Sequence, residues 1–169
     1  MTAAVILTEI SETKTLSKND KSAVVSLISE LQLYFKEIIV VSDQPAVYLP
    51  YVKDTARILT PFYKGMDPLS SLHAALSLAI SDDVWILHEA FPFPGINTFK
   101  EIKTLKENSN SQCAVYDKKN PNLLYSIFDK RVLHVLDEAI NTNSNRIADF
   151  FNHIDCTYFP LQKKKSLQT

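Results

Sequence analysis

Glycine is what this sequence most lacks. Gly65 and Gly95 are the two glycines among 169 residues, against about 7% in an average chain. Backbone that wraps closely around phosphates uses several glycines, because they adopt the φ values that turn N–H groups inward. None stands before position 65, so no Walker-type phosphate loop follows the first apolar run. A G-x-S-x-G elbow is absent as well, which removes the usual serine-hydrolase arrangement. Cysteine is equally scarce. Cys113 and Cys156 are too few for a disulfide framework and lack C-x-x-C spacing. They are expected as free thiols, and the protein as cytoplasmic. Charge of one sign is missing too: 18 basic and 19 acidic residues leave a net charge of −1, which predicts no nucleic-acid and no membrane partner. No stretch approaches the roughly 20 apolar residues of a membrane helix. The apolar run at the N-terminus is short and has no basic region before it, so no signal peptide is expected.

What is present is an ordinary globular pattern, with 46% hydrophobic and 22% charged residues. Ala4 to Leu7 reads as a buried strand, followed by a polar loop over 8–21. Val24, Val25, Leu27, Ile28, Leu31 and Phe35 recur at helical spacing. Glu37 to Val41 reads as a second strand, 46–51 as one or two helical turns, and Ala56 to Leu59 as a short third strand. Asp67 as N-cap and Pro68 at the first helical position open a helix striped by Leu69, Leu72, Ala75, Leu76 and Ala79. Val84 to Leu87 is wholly apolar, the mark of a central parallel strand. The rigid loop Phe91-Pro92-Phe93-Pro94-Gly95 leads into a helix over 96–107. Two strands over 112–116 and 123–128 flank the turn Asp117-Lys118-Lys119-Asn120-Pro121 and predict a hairpin. Helices over 132–140 and 146–152 and a strand over 156–159 complete one domain, 1–160, before a basic tail, 161–169. Alternating strands and helices with a late hairpin predict a three-layer α/β/α, Rossmann-like fold with a mostly parallel sheet. Ligands of such sheets sit at the carboxyl ends of the strands, which points to the loops 8–21, 42–46, 60–68 and 88–95.

The order of these segments resembles a family. Ala4-Val5-Ile6-Leu7, a charged loop ending Asp20-Lys21, an apolar helix and Ile38-Ile39-Val40-Val41-Ser42 look like the first third of a molybdenum-cofactor guanylyltransferase. Asp67-Pro68-Leu69-Ser70-Ser71-Leu72 resembles that family's Gly-Pro-Leu-Ala-Gly helix start, and Val84 to Phe93 the strand carrying its Asp-Met-Pro-Phe motif. Asn122 to Leu136 and Ser144 to Phe159 resemble its substrate-side hairpin and helices. The resemblance implies a nucleotide-diphospho-sugar transferase type of fold, GTP and Mg²⁺ as ligands, and transfer of GMP onto molybdopterin with release of pyrophosphate.

The departures cut into that site. Where the family has Leu-Ala-Gly-Gly and then Arg-Met-Gly, this chain has Thr8-Glu9-Ile10 and Lys14-Thr15-Leu16. Glu9 would meet phosphate oxygens of its own sign, and a β-branched Ile10 disfavours positive φ. Thr8, Lys14 and Lys21 are the residues left to contact a nucleotide, the lysines by charge. Each lysine reads equally as a solvated surface residue. The family's metal-binding Asp falls at Ala90, and alanine offers no oxygen to Mg²⁺. Glu89 is the surrogate metal ligand, provided the loop turns, since successive residues of an extended segment point to opposite sides. The other reading makes His88 a packed histidine and Glu89 an exposed loop residue. Phe91 and Phe93 either wall a pocket for a flat base or seal one end of the sheet. His73 reads as a core or surface histidine, and His134 and His153 as structural.

Two functions follow. One is a divergent guanylyltransferase-like nucleotidyltransferase with weakened or lost activity, because losing glycines and a metal carboxylate should cost several kcal/mol of barrier; no catalytic residue is assigned. The other is a non-catalytic module that kept the fold, as a homodimer or a partner of another cofactor-biosynthesis protein.

Overall fold

The computed structural model describes residues 1–8, 18–52 and 54–160, with residues 18–22 as backbone only. The strands are β1 (Thr2–Leu7), β2 (Ile38–Val41), β3 (Arg57–Leu59), β4 (Asp83–His88), β5 (Cys113–Val115), β6 (Ile127–Asp129) and β7 (Cys156–Tyr158). The helices are α1 (Lys18–Leu31), α2 (Pro45–Val52), α3 (Leu69–Leu78), α4 (Ile96–Ser109), α5 (Leu133–Asn141) and α6 (Ile147–Asn152). All seven strands join one sheet in the order β3-β2-β1-β4-β6-β5-β7. β1 to β4 are parallel to one another, β6 is antiparallel to both neighbours, and β7 is parallel to β5.

The apolar runs occupy the middle of the sheet because both faces are covered. Every residue of β1 and β2 is buried. Ala3, Val5, Ile39, Val41, Val84 and Ile86 face one layer, where Leu69, Leu72 and Leu76 of α3, Leu136 of α5 and Phe150 of α6 pack. Ala4, Ile6, Ile38, Val40, Trp85 and Leu87 face the other, against Leu27 and Leu31 of α1, Tyr48 of α2 and Ile102 of α4. Trp85 anchors this second layer. It lies 5.0 Å from Phe99 and 5.7 Å from Phe35 between ring centroids, and its Nε1–H donates to the Tyr125 carbonyl at 3.0 Å. A buried indole with its polar atom satisfied combines large apolar area with no desolvation penalty.

Three expectations change. α1 begins at Lys18, so the end of the polar stretch, Lys21 included, is helical. Asp67 is not a backbone cap: its Oδ1 accepts from the hydroxyls of Ser70 at 2.8 Å and Ser71 at 2.6 Å, and Pro68 stands at the N-cap of α3. The antiparallel pair β5–β6 exists, but it is wide rather than a tight hairpin. Leu123 to Ser126 is not strand, because Tyr125 has φ +59° and the Ser126 hydroxyl donates to Asn122 O and accepts from Tyr116 N. The Asp117 turn still forms, its carboxylate accepting from the amides of Lys119 and Asn120. The expected tail, 161–169, lies outside the described residues.

Buried charge ties the opposite edge of the sheet, at the amino ends of β2 and β4 and the carboxyl end of β6. Lys106 of α4 reaches Asp129 at 2.7 Å and Asp83 at 3.6 Å. Glu37 accepts from the amides of Ile80 at 2.8 Å and Ser81 at 3.0 Å and from Arg57 at 3.2 Å. Burial pushes the Glu37 carboxyl up, but the Ser81 and Ile80 hydrogen bonds and the Arg57 charge outweigh it and hold it below the ordinary glutamate value. A carboxylate with a lowered folded pKa stabilises the protein above its unfolded pKa and loses that contribution as pH falls through the folded value. Glu37→Gln is therefore expected to cost about 1–3 kcal/mol at neutral pH, and urea unfolding should show the gap to wild type narrowing between about pH 5 and pH 3.

Candidate functional site

The carboxyl ends of β1, β2, β3 and β4 lie side by side. The β1–β4 ladder runs one residue beyond the strand, the Glu89 N–H donating to the Leu7 carbonyl at 3.0 Å. That bond holds Glu89 on the α1/α2/α4 side of the sheet, following Trp85 and Leu87 by strand alternation. Its carboxylate is buried, at 8% exposure, and accepts from the Tyr48 hydroxyl with both oxygens, at 3.1 Å and 2.9 Å. Tyr48 arrives there because Pro45 starts α2 directly after the Ser42 turn, in which the Ser42 hydroxyl accepts from Gln44 N at 3.0 Å. A charge-assisted phenol–carboxylate bond is a strong one, and it offsets part of the cost of burying Glu89.

Thr8 directly follows β1 on the same edge. Its hydroxyl donates to the Val41 carbonyl at 2.9 Å, linking the ends of β1 and β2. To donate to a phosphate oxygen, Thr8 would have to give up that bond. Lys14 lies outside the described residues, and Lys21 is placed in the first turns of α1 as backbone only. The structure thus places Thr8 and Glu89 at one edge of the sheet, on the ends of adjacent strands.

The chain does turn after β4: Phe91 N donates to His88 O at 3.1 Å, and Ala90 N donates to His88 Nδ1 at 3.0 Å. Nδ1 is therefore an acceptor, and His88 carries its proton on Nε2 when neutral. The reading of Glu89 as an exposed loop residue is overturned, since the ladder bond to Leu7 carries it into the protein. One carboxylate that already accepts a phenol proton is not a donor set for Mg²⁺, which asks for near-octahedral oxygen ligands. Among the described residues no three His, Cys, Asp or Glu side chains gather as a metal site. The residues seen here do not by themselves fit a protein-built Mg²⁺ centre.

The aromatic loop divides its work. Phe93 packs edge-on to Trp85 at 6.1 Å and closes the end of the second core layer. Phe91 is half exposed and sits 5.7 Å from the His88 ring. His73 is a buried core histidine, its Nε2 2.8 Å from Asp137 Oδ1 and its ring edge-on to Tyr63 and Phe62. His134 and His153 are exposed. Tyr48 is the residue that sequence reading missed. Nothing in Pro45-Ala46-Val47-Tyr48 marks a polar role, and its partner lies 41 positions away.

No family model and no curated protein matches the sequence. Solved structures do match the fold. Molybdopterin-guanine dinucleotide biosynthesis protein A from Archaeoglobus fulgidus superposes with a TM-score of 0.75 at 16% identity, over 98% of this chain and 86% of that one. The chain has that protein's fold. A protein from Aquifex aeolicus matches with a TM-score of 0.74 at 16% identity, covering 98% and 90% of the two chains. The 2-C-methyl-D-erythritol 4-phosphate cytidylyltransferase of Francisella tularensis matches with a TM-score of 0.65 at 13% identity, covering 99% and 97%. The fold is thus the nucleotide-diphospho-sugar transferase type, and the resemblance found in the sequence holds at the level of architecture. No helix among the described residues is long and apolar enough to cross a membrane.

The Tyr48–Glu89 bond makes a direct prediction. Tyr48→Phe and Glu89→Gln should each destabilise the protein by about 1–3 kcal/mol. The double variant should cost measurably less than their sum, by about 0.5–3 kcal/mol in a denaturation cycle. Strict additivity would mean the two side chains do not interact.

Proposed function

We propose that this is a divergent nucleotidyltransferase-like protein of the molybdenum-cofactor guanylyltransferase type, with weakened or lost activity. The reaction it would perform is GMP transfer from GTP to molybdopterin. An acceptor oxygen attacks the α-phosphorus, the bond to the bridging oxygen breaks, and pyrophosphate leaves. The observation that carries the reading is the fold, which superposes on molybdopterin-guanine dinucleotide biosynthesis protein A over 98% of this chain with a TM-score of 0.75, and which sets Thr8 and Glu89 side by side just beyond the ends of β1 and β4. Thr8, Lys14 and Lys21 are assigned to the nucleotide, Thr8 on exchanging its bond to Val41 and the lysines by pairing with phosphate charge. The weakness has a physical cause. Phosphoryl transfer is mostly positioning and charge neutralisation, and here Ala90 stands where the resembled family has its metal-binding Asp, while the Thr8 hydroxyl is held by Val41. A protein-held Mg²⁺ is not part of the reading.

A second reading has its own support. The Thr8–Val41 and Tyr48–Glu89 hydrogen bonds satisfy, within the chain, the polar groups that a nucleotide would meet. That suits a module that retains the fold for a partner protein or a second copy of itself. In either case the protein is taken to work in the cytoplasm, with no nucleic-acid or membrane partner.

Calorimetric titration with GTP and then ATP, each with and without Mg²⁺, separates the readings. The proposal expects GTP binding weaker than about 100 µM, roughly −5.5 kcal/mol, with little gain from Mg²⁺. Tight, Mg²⁺-dependent, GTP-selective binding would show an intact transferase site and refute the weakening. No heat with any nucleotide would favour the partner-binding module.

A further inference from the structure

We propose that Cys113 and Cys156 are a peroxide-responsive dithiol that closes a disulfide between β5 and β7. The two cysteines are register partners on adjacent parallel strands, and the Cys113 amide donates to the Asp155 carbonyl at 3.1 Å. Register partners point to the same face of a sheet, with Cα atoms about 4.8 Å apart. That spacing falls inside the window of roughly 4.4–6.8 Å that a disulfide spans without moving the backbone. Both side chains lie against the α3/α5/α6 core layer. Their surroundings differ in a way that divides the roles. Cys113 is fully buried, whereas Cys156 sits on the edge strand, partly open to solvent, with its Sγ 3.7 Å from the Ile154 carbonyl. Cys156 is thus the thiol a small oxidant reaches, and Cys113 the thiol that resolves it. The proton balance agrees. The hydrogen bond from Cys113 lowers the Cys156 pKa, and burial pushes Cys113 well up, so the first proton to leave the pair leaves Cys156.

The chemistry balances with hydrogen peroxide as oxidant. The Cys156 thiolate attacks one peroxide oxygen, the O–O bond breaks, and the departing hydroxide takes a proton to become water. Cys156 is then a sulfenic acid. The Cys113 sulfur attacks the Cys156 sulfur, the S–O bond breaks, and the leaving hydroxide takes the Cys113 proton as a second water. The two thiols have lost two electrons in total, and the peroxide has gained them. The product pins β7, an edge strand of three residues held by β5, to the interior of the sheet. In a reducing compartment such a bond is transient, which is the usual form of a sensing pair.

The test is peroxide treatment of the full-length protein, then denaturation, alkylation and mass analysis of the intact chain. The proposal expects both cysteines to escape alkylation, a mass lower by two hydrogens, full reversal by dithiothreitol, and a thermal midpoint raised by roughly 5–15 °C. Cys156→Ser should leave Cys113 reduced under the same treatment. Cys113→Ser should halt at a Cys156 sulfenic acid that dimedone traps. If that variant fails to fold, the wild-type mass and the Cys156→Ser result still decide. Alkylation of both thiols after peroxide would overturn the proposal. So would a crosslink found only between chains, or Cys156 carried to sulfinic acid beside a reduced Cys113.

Discussion

The architecture depends on the ladder between β1 and β4. These two strands are paired over six positions, from Thr2 with Asp83 to Leu7 with His88. They are apolar on both faces, so they can pack only between two layers of helices. One residue further on, the same ladder takes the Glu89 amide and draws its carboxylate into the protein. The central constraint of the fold is therefore also what places Glu89 at the ligand edge. Trp85, two positions into the strand, fixes the second helix layer, and Phe93 seals that layer against the loop that follows.

Much of this arrangement is legible in the residues. Continuous apolar runs such as Ile38-Ile39-Val40-Val41 and Val84-Trp85-Ile86-Leu87 admit few readings beyond a buried strand. The stripe from Val24 to Leu31 reads as a helix with one buried face. The wide β5–β6 connection was not legible. Leu123-Leu124-Tyr125-Ser126 has strand-like composition, but a positive φ at Tyr125 and the bonds of Ser126 to Asn122 and Tyr116 win over local preference. Asp67 misled for a related reason. Two serine hydroxyls at the start of α3 compete for the carboxylate that an N-cap would use.

The candidate site was legible in part. Thr8 and Glu89 come to the same edge because strand order brings them there, and strand order follows from the alternation of strands and helices. What Glu89 does with its charge was hidden. Its partner Tyr48 sits on a short helix of mostly apolar residues, and a contact spanning 41 positions leaves no local signature. The Cys113–Cys156 register was equally invisible, since two cysteines so far apart in sequence meet only once β7 has been laid beside β5. Spacing rules detect pairs that lie close in sequence, whereas both of these pairs are products of topology.

The proposed nucleotide edge keeps its place at the ends of β1 and β4 while Thr8 and Glu89 are engaged within the chain. The most direct test follows backbone amide resonances during titration with GTP. That placement predicts small, fast-exchange shifts concentrated at Thr8, Val41, Ser42, Tyr48 and Glu89. Shifts gathered at another surface, such as α4 beside Phe159, would contradict it, because the ligand edge would then not be where the sheet places it.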